Sequence, residues 1–177
     1  MSRAALFTFV GVAWCVRSLQ SFADPEYTDP GTVSDWFAVL SFSVALFAVA
    51  LALPLLAQYT GGGRAVVLVS LIPAAGAAIA GLSNILEDAL QLEFAGLFYG
   101  VGAATTGLGL IAFTLAIAVT GRGRRRLLAA IPLATLIGLS LFESGGGVLV
   151  LAAWLVAAAI AVQAAQPTKA QAAPAST

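Results

Sequence analysis

The chain reads as an all-α, polytopic membrane protein, a bundle of six transmembrane helices. It has 177 residues, of which 60% are hydrophobic and only 9% charged. Its mean hydropathy of +1.00 leaves too little polar surface to cover a soluble core of this size. Apolar runs of spanning length recur along it, and the few charges sort between the two ends of those runs. Arg3, Arg64, Arg122, Arg124, Arg125, Arg126 and Lys169 fall to one side. Asp24, Glu26, Asp29, Asp35, Glu87, Asp88, Glu93 and Glu143 fall to the other, and Arg17 alone breaks the pattern. Short basic loops stay cytoplasmic during insertion, so the expected address is the plasma membrane with both termini cytoplasmic.

A spanning helix needs about 20 apolar residues. The first run, residues 4–22, follows Arg3. It has the outline of a secretory signal, with Ser21-Phe22-Ala23 before Asp24 as a small-residue cleavage site. An uncleaved first span is the preferred reading. The second run, 36–58, is uncharged and bracketed by Trp36 and Tyr59 as interfacial anchors. Asp24-Pro25-Glu26 and Asp29-Pro30-Gly31 break helix before it, and Thr32 or Ser34 is placed to cap it.

The third run, 65–90, turns polar at its end, and Gly61-Gly62-Gly63-Arg64 makes the turn into it. The fourth, 94–120, is rich in small residues, and Gly96 and Gly100 have the spacing of close helix contacts. The fifth, 127–142, is short for a core of about 30 Å and calls on Arg126 to snorkel or on local thinning. The sixth, 145–165, follows the turn Glu143-Ser144-Gly145-Gly146-Gly147. Residues 1–165 thus form one transmembrane domain. The Ala-, Gln- and Pro-rich stretch 166–177 reads as a disordered cytoplasmic tail. No three-plus-three inverted repeat of the transporter kind is evident.

Composition removes much chemistry. Histidine is absent and Cys15 is the only cysteine. No intrachain disulfide, imidazole relay or thiolate metal centre is expected, and no cofactor. Ser144 has neither a histidine nor a nucleophile elbow, so no catalytic residue is assigned. No basic groove for nucleic acid is present. Arg122, Arg124, Arg125 and Arg126 read as contacts to anionic lipid headgroups.

The candidate ligand- or partner-binding residues are Arg17, Asn84, Glu87, Asp88 and Gln91. In a continuous α-helix, Asn84, Glu87, Asp88 and Gln91 follow i, i+3, i+4, i+7 and share a face. Gly81, Ala80, Ala77, Gly76 and Pro73 continue that stripe inward, where small residues admit a neighbouring backbone or leave a cavity. Glu87 lies about 33 Å along the helix from Ala65. A solvated helix end is the plain reading there, and a ligand, ion or partner site the sharper one. Asn84 is one turn deeper, where a buried amide demands a partner. Arg17 lies about 20 Å along the first run. It either snorkels or pairs with Glu87, Asp88 or Glu143. Trp14, Tyr99 and Trp154 read as packing or lipid contacts.

Two function classes fit. The first is a non-catalytic membrane protein, namely a subunit, an assembly factor or a small-ligand-binding bundle. Its partners are membrane lipid and a protein partner or second copy of the chain. The alternative is a small transporter or channel component with an outer polar vestibule at Asn84, Glu87, Asp88 and Arg17. The spans carry no midplane carboxylate, which weighs against transport of charged solutes. An enzyme acting on lipid ranks last.

Overall fold

The computed structural model describes residues 1–23 and 30–166. The acidic segment carrying Asp24, Glu26 and Asp29, and the tail beyond Gln166 with Lys169, lie outside the described residues. Every element among the described residues is helical. The six helices are α1 (Arg3–Ala23), α2 (Val33–Ala57), α3 (Gly63–Asn84), α4 (Ala95–Thr120), α5 (Ala130–Ser140) and α6 (Gly147–Ala165). Five of them, all but α5, are long and apolar enough to cross a membrane.

Local chemistry sets the ends. α2 starts three residues before Trp36 because Thr32 builds a capping box. The Thr32 hydroxyl accepts from the Asp35 N–H, and the Asp35 carboxylate accepts from the Thr32 N–H at 2.7 Å and the Gly31 N–H at 3.0 Å. These bonds satisfy helix-start donors that the chain leaves open. Around α5, the expected single helix over 127–142 is replaced by three pieces. A 3₁₀ segment Gly123–Ala129 leads in, α5 spans 11 residues, and a 3₁₀ turn Phe142–Ser144 leads out. Pro132 gives the reason for the first piece. It has no N–H to bond the Leu128 carbonyl, so the turn before it tightens. Gly145, at φ +87°, ends the last turn in a left-handed conformation that suits glycine.

The principal packing partners form a closed ring. Each helix packs on its sequence neighbour, and α6 returns to α1. The tightest seam joins α3 to α4. A Cβ on Gly102 would fall 2.5 Å from the Ala80 nitrogen, and one on Gly76 2.5 Å from the Thr106 nitrogen. Gly109 sits equally close to Pro73, at 2.6 Å from its nitrogen. Gly100, by contrast, points into open space, so Gly96 and Gly100 do not make this seam. The ring closure is also backbone to backbone, with Gly147 against the Trp14 carbonyl. Ser18 locks it, donating to the Phe142 carbonyl at 2.7 Å and accepting from the Gly147 N–H at 3.2 Å.

The ring has two unlike halves. Towards the end bearing Arg3, Arg64 and Arg122–Arg126, its centre is filled by Phe7, Leu53, Leu110, Phe113 and Trp154, all fully buried. Trp154 Nε1 donates to Thr135 Oγ1 at 3.0 Å, so this plug hides no unsatisfied indole. The outer surface of the helices is apolar, with Leu51, Leu68, Leu97, Leu108, Val119 and Leu155 among many exposed large side chains. A soluble monomer rarely presents such a surface, whereas acyl chains match it.

Candidate functional site

The residues expected to form one polar stripe do not do so. α3 ends at Asn84, and residues Ile85–Ala89 form a π-helical turn. Its wider i→i+5 bonding changes the angular step, so the regular spacing stops at the point where the carboxylates begin. Asn84 is buried and turned to α2, donating from Nδ2 to the Val39 carbonyl at 3.2 Å and to Ser43 Oγ at 3.1 Å. It clasps two helices. Glu87, half-buried, lays its carboxylate against Gly96 of α4. Gln91 is exposed, adopts φ +55° and donates back to the Asp88 carbonyl oxygen at 2.8 Å. The small-residue stripe also divides. Gly76, Pro73 and Ala80 meet α4, and Gly81 meets α2 at Leu46, Phe47 and the Ser43 carbonyl.

Arg17 turns inward and is only 6% exposed, which rules out snorkelling. It donates to the Ser21 hydroxyl. Its guanidinium carbon lies 5.0 Å from the Phe142 ring centre and 5.6 Å from that of Phe42, within cation–π range. Tyr99 shares a Coulombic neighbourhood with Asp88, Glu87 and Arg17. Arg17 and the π-turn carboxylates therefore converge on one end of the ring.

At that end the ring centre is open. A cavity of about 400 Å³ is lined by Trp14 of α1, Phe42 and Leu46 of α2, and Ala80 of α3. Tyr99, Ala103, Thr106 and Gly107 of α4 complete one flank. Leu136, Leu139 and Ser140 of α5, with Phe142 and Glu143 after it, form the other. The size and the mostly apolar lining are those of a small-molecule site. Four aromatic rings wall it. Phe42 lies 5.6 Å from Trp14, 6.2 Å from Tyr99 and 5.7 Å from Phe142. Trp14 meets both phenylalanines edge-on, at interplanar angles of 81° and 85°. Two wall hydroxyls are satisfied within their own helices, Thr106 on the Gly102 carbonyl at 2.8 Å and Ser140 on the Leu136 carbonyl at 3.0 Å. Ala103 of α4, Ser140 at the end of α5 and Glu143 in the turn after it are exposed, so the cavity opens to the surface between α4 and the C-terminal end of α5.

Of these aromatics, the sequence reads Trp14 and Tyr99 as packing or lipid contacts and singles out neither Phe42 nor Phe142. The signal was depth. Trp14 and Phe42 each lie nine residues from the same end of their helices, about 14 Å in.

The basic end is partly structural. Arg126 Nε donates to the Gly121 carbonyl at 2.7 Å and so caps α4. Arg125 lies over Gly61, and the Arg3 guanidinium sits 5.7 Å from the Tyr59 ring centre. Arg122 and Arg124 are exposed and make no such contact among the described residues.

Fold and site together define an all-helical bundle, five of whose helices are long and apolar enough to cross a membrane, with an aromatic-walled cavity open to the surface. Comparison with known proteins finds no matching family model, no matching curated protein and no matching solved structure.

Proposed function

We propose that this protein is a six-span integral membrane protein of the plasma membrane, and that it binds a small lipophilic ligand without chemical turnover. The cavity carries the second half of this reading, with its aromatic walls and mostly apolar lining. Against a channel stands the plug of Phe7, Leu53, Leu110, Phe113 and Trp154, which leaves the basic half of the ring without a continuous path. Asn84, a buried member of the vestibule set, is spent on the α2–α3 clasp.

The sixth span rests on the rise of the fifth segment. From Leu127, three 3₁₀ residues at about 2.0 Å each, eleven α-helical residues at about 1.5 Å and the two residues through Phe142 reach about 26 Å. That is a few Å less than a hydrocarbon core of about 30 Å, a shortfall that a snorkelling Arg126 or local thinning of the bilayer accommodates. Six crossings put Arg64 and the Arg122–Arg126 cluster on one side, which the positive-inside rule makes cytoplasmic. Arg122 and Arg124 are then the side chains free to meet anionic headgroups. A cysteine introduced at position 124 in a Cys15→Ser background should resist an impermeant maleimide added outside intact cells and react after lysis. One introduced at position 144 should react without lysis. The reverse pattern inverts the topology, and labelling of both from outside removes the fifth crossing.

The ligand reading is tested by native mass spectrometry after gentle extraction from the protein's own membrane. The expected spectrum shows the chain carrying a non-protein adduct of small mass that collisional activation releases. A chain found only with a stoichiometric protein partner, and never with a small adduct, would make it a subunit and sink this proposal.

A further inference from the structure

The aromatic cavity adjoins a second hollow of about 320 Å³, lined by residues 139–144. Leu139, Ser140, Phe142 and Glu143 line both spaces. The two are unlike, since the cavity wall is mostly apolar and the hollow mostly polar. The polar groups of the hollow favour a donor. The Glu143 carboxylate is exposed, and among the described residues no donor or cation meets it. The Ser140 hydroxyl spends its proton on the Leu136 carbonyl, so its oxygen has only lone pairs left to offer. α5 ends at Ser140, and the partial negative charge of its last carbonyls falls at the same place. No lysine or arginine is among the residues lining either space.

Resting on the ligand-binding reading above, we infer that the site takes a lipophilic ammonium compound, its aromatic body in the cavity and its charged head at Glu143. Charge sets the head. An ammonium carries donors and no acceptor, which is the complement of the hollow. Arg17 does not cancel this preference. It lines neither space, and Glu87 and Asp88 share its neighbourhood around Tyr99. With Glu143, three carboxylates stand at that end against one guanidinium. Because the Arg17 guanidinium already lies against the Phe42 and Phe142 rings, the ligand's head belongs at the carboxylate and not on those rings. The wall sets the body. Trp14, Phe42, Tyr99 and Phe142 come from α1, α2, α4 and the turn after α5, and aromatic rings pack well against such a set. Position joins the two halves, because the hollow lies at the surface end of the cavity, where a charged head stays solvated.

The test compares two molecules of nearly one shape. Naphthylethylamine and naphthylethanol share a ring and a two-carbon arm, and differ in an ammonium for a hydroxyl. A primary amine of this kind is protonated at neutral pH. Saturable binding of each is measured on the full chain in nanodiscs of zwitterionic phosphatidylcholine, with empty nanodiscs subtracted. The amine should bind about fivefold tighter than the alcohol, the upper end of what a solvent-exposed ion pair supplies. Glu143→Gln keeps the shape of the side chain and removes its charge. It should erase the amine's advantage and leave the alcohol within about twofold, since only the ion pair is lost. Glu93→Gln removes an exposed carboxylate near the same end that lines neither space, and should change neither affinity.

Equal binding of the two molecules by the wild-type chain, or tighter binding of the alcohol, overturns the ammonium assignment and leaves the ligand-binding reading standing. So does an amine advantage that survives Glu143→Gln. An advantage that falls equally in Glu143→Gln and Glu93→Gln reports the charge of the whole end and overturns the assignment too. Saturable binding of neither molecule overturns both readings. If Glu143→Gln does not fold, the wild-type ratio and Glu93→Gln decide, an advantage of about fivefold that Glu93→Gln leaves intact counting for the inference and any other result against it.

Discussion

Gly102→Val is expected to remove nearly all folded protein from detergent extracts. Even the first carbon it adds would sit 2.5 Å from the Ala80 nitrogen, 2.9 Å from the Gly76 carbonyl oxygen and 3.0 Å from the Ala80 Cα. These are backbone atoms of α3, so no rotamer change relieves the contact. The two helices must part, and the same movement empties the reciprocal contact of Gly76 on Thr106 and the seating of Gly109 on Pro73. In lipid that loss is not offset by a hydrophobic gain, because acyl chains are as apolar as the side chains they replace. Close backbone packing is what holds α3 to α4. Ordinary overpacking costs about 1–3 kcal/mol. Clashes against rigid backbone along a whole seam belong to the rarer class above about 4 kcal/mol. Monodisperse yield and the thermal unfolding midpoint measure it. Gly100→Val, two residues away and facing open space, should change the midpoint little. Equal midpoints for the two variants would mean that the α3–α4 seam does not run through Gly102.

The contrast between Gly100 and Gly102 also shows what could be read from residue order. Apolar runs of about twenty residues mark spans whatever surrounds them, so the helical class and most helix positions were legible. Small residues announced a close approach on the third and fourth runs, but composition does not say which glycine meets which neighbour. Gly76 and Gly81 lie on one predicted stripe and serve different helices. The closure of α6 on α1 left only glycines as a trace, since Gly147 on the Trp14 carbonyl and Gly11 on Leu151 need the fold before they mean anything.

The polar stripe misled for a local reason. A π turn over Ile85–Ala89 defeats a 3.6-residue count, and nothing in Ile-Leu-Glu-Asp-Ala marks it. Asn84 was rightly singled out as an amide in need of a partner, and that partner is α2. Arg17 was equally informative, although its neighbours Phe42 and Phe142 lie far from it in sequence. The cavity draws on five helices and contains few polar atoms. Sequence reasoning that looks for charged clusters passes over a site of that kind.

Ala103→Leu, one residue beyond Gly102, should have the opposite phenotype, with a sound fold and a closed site. Ala103 is exposed and lines the cavity where it opens between α4 and α5. Successive residues on a helix point about 100° apart, so position 103 faces away from the α3 seam that position 102 occupies. Leucine is a good helix former and is at home against acyl chains, so yield and unfolding midpoint should stay close to wild type. The added side chain projects into a gap that is already narrow. Just one turn on, the Cβ direction of Gly107 meets Leu136 Cδ1 at 3.8 Å. A ligand entering there must displace the leucine or bind with fewer wall contacts, a penalty of about 1.4 kcal/mol, or about tenfold in affinity. Blocked access acts on shape alone. Native mass spectra of Ala103→Leu should therefore show the small adduct reduced about tenfold at an unfolding midpoint close to wild type. An undiminished adduct would move the access route away from the α4–α5 gap.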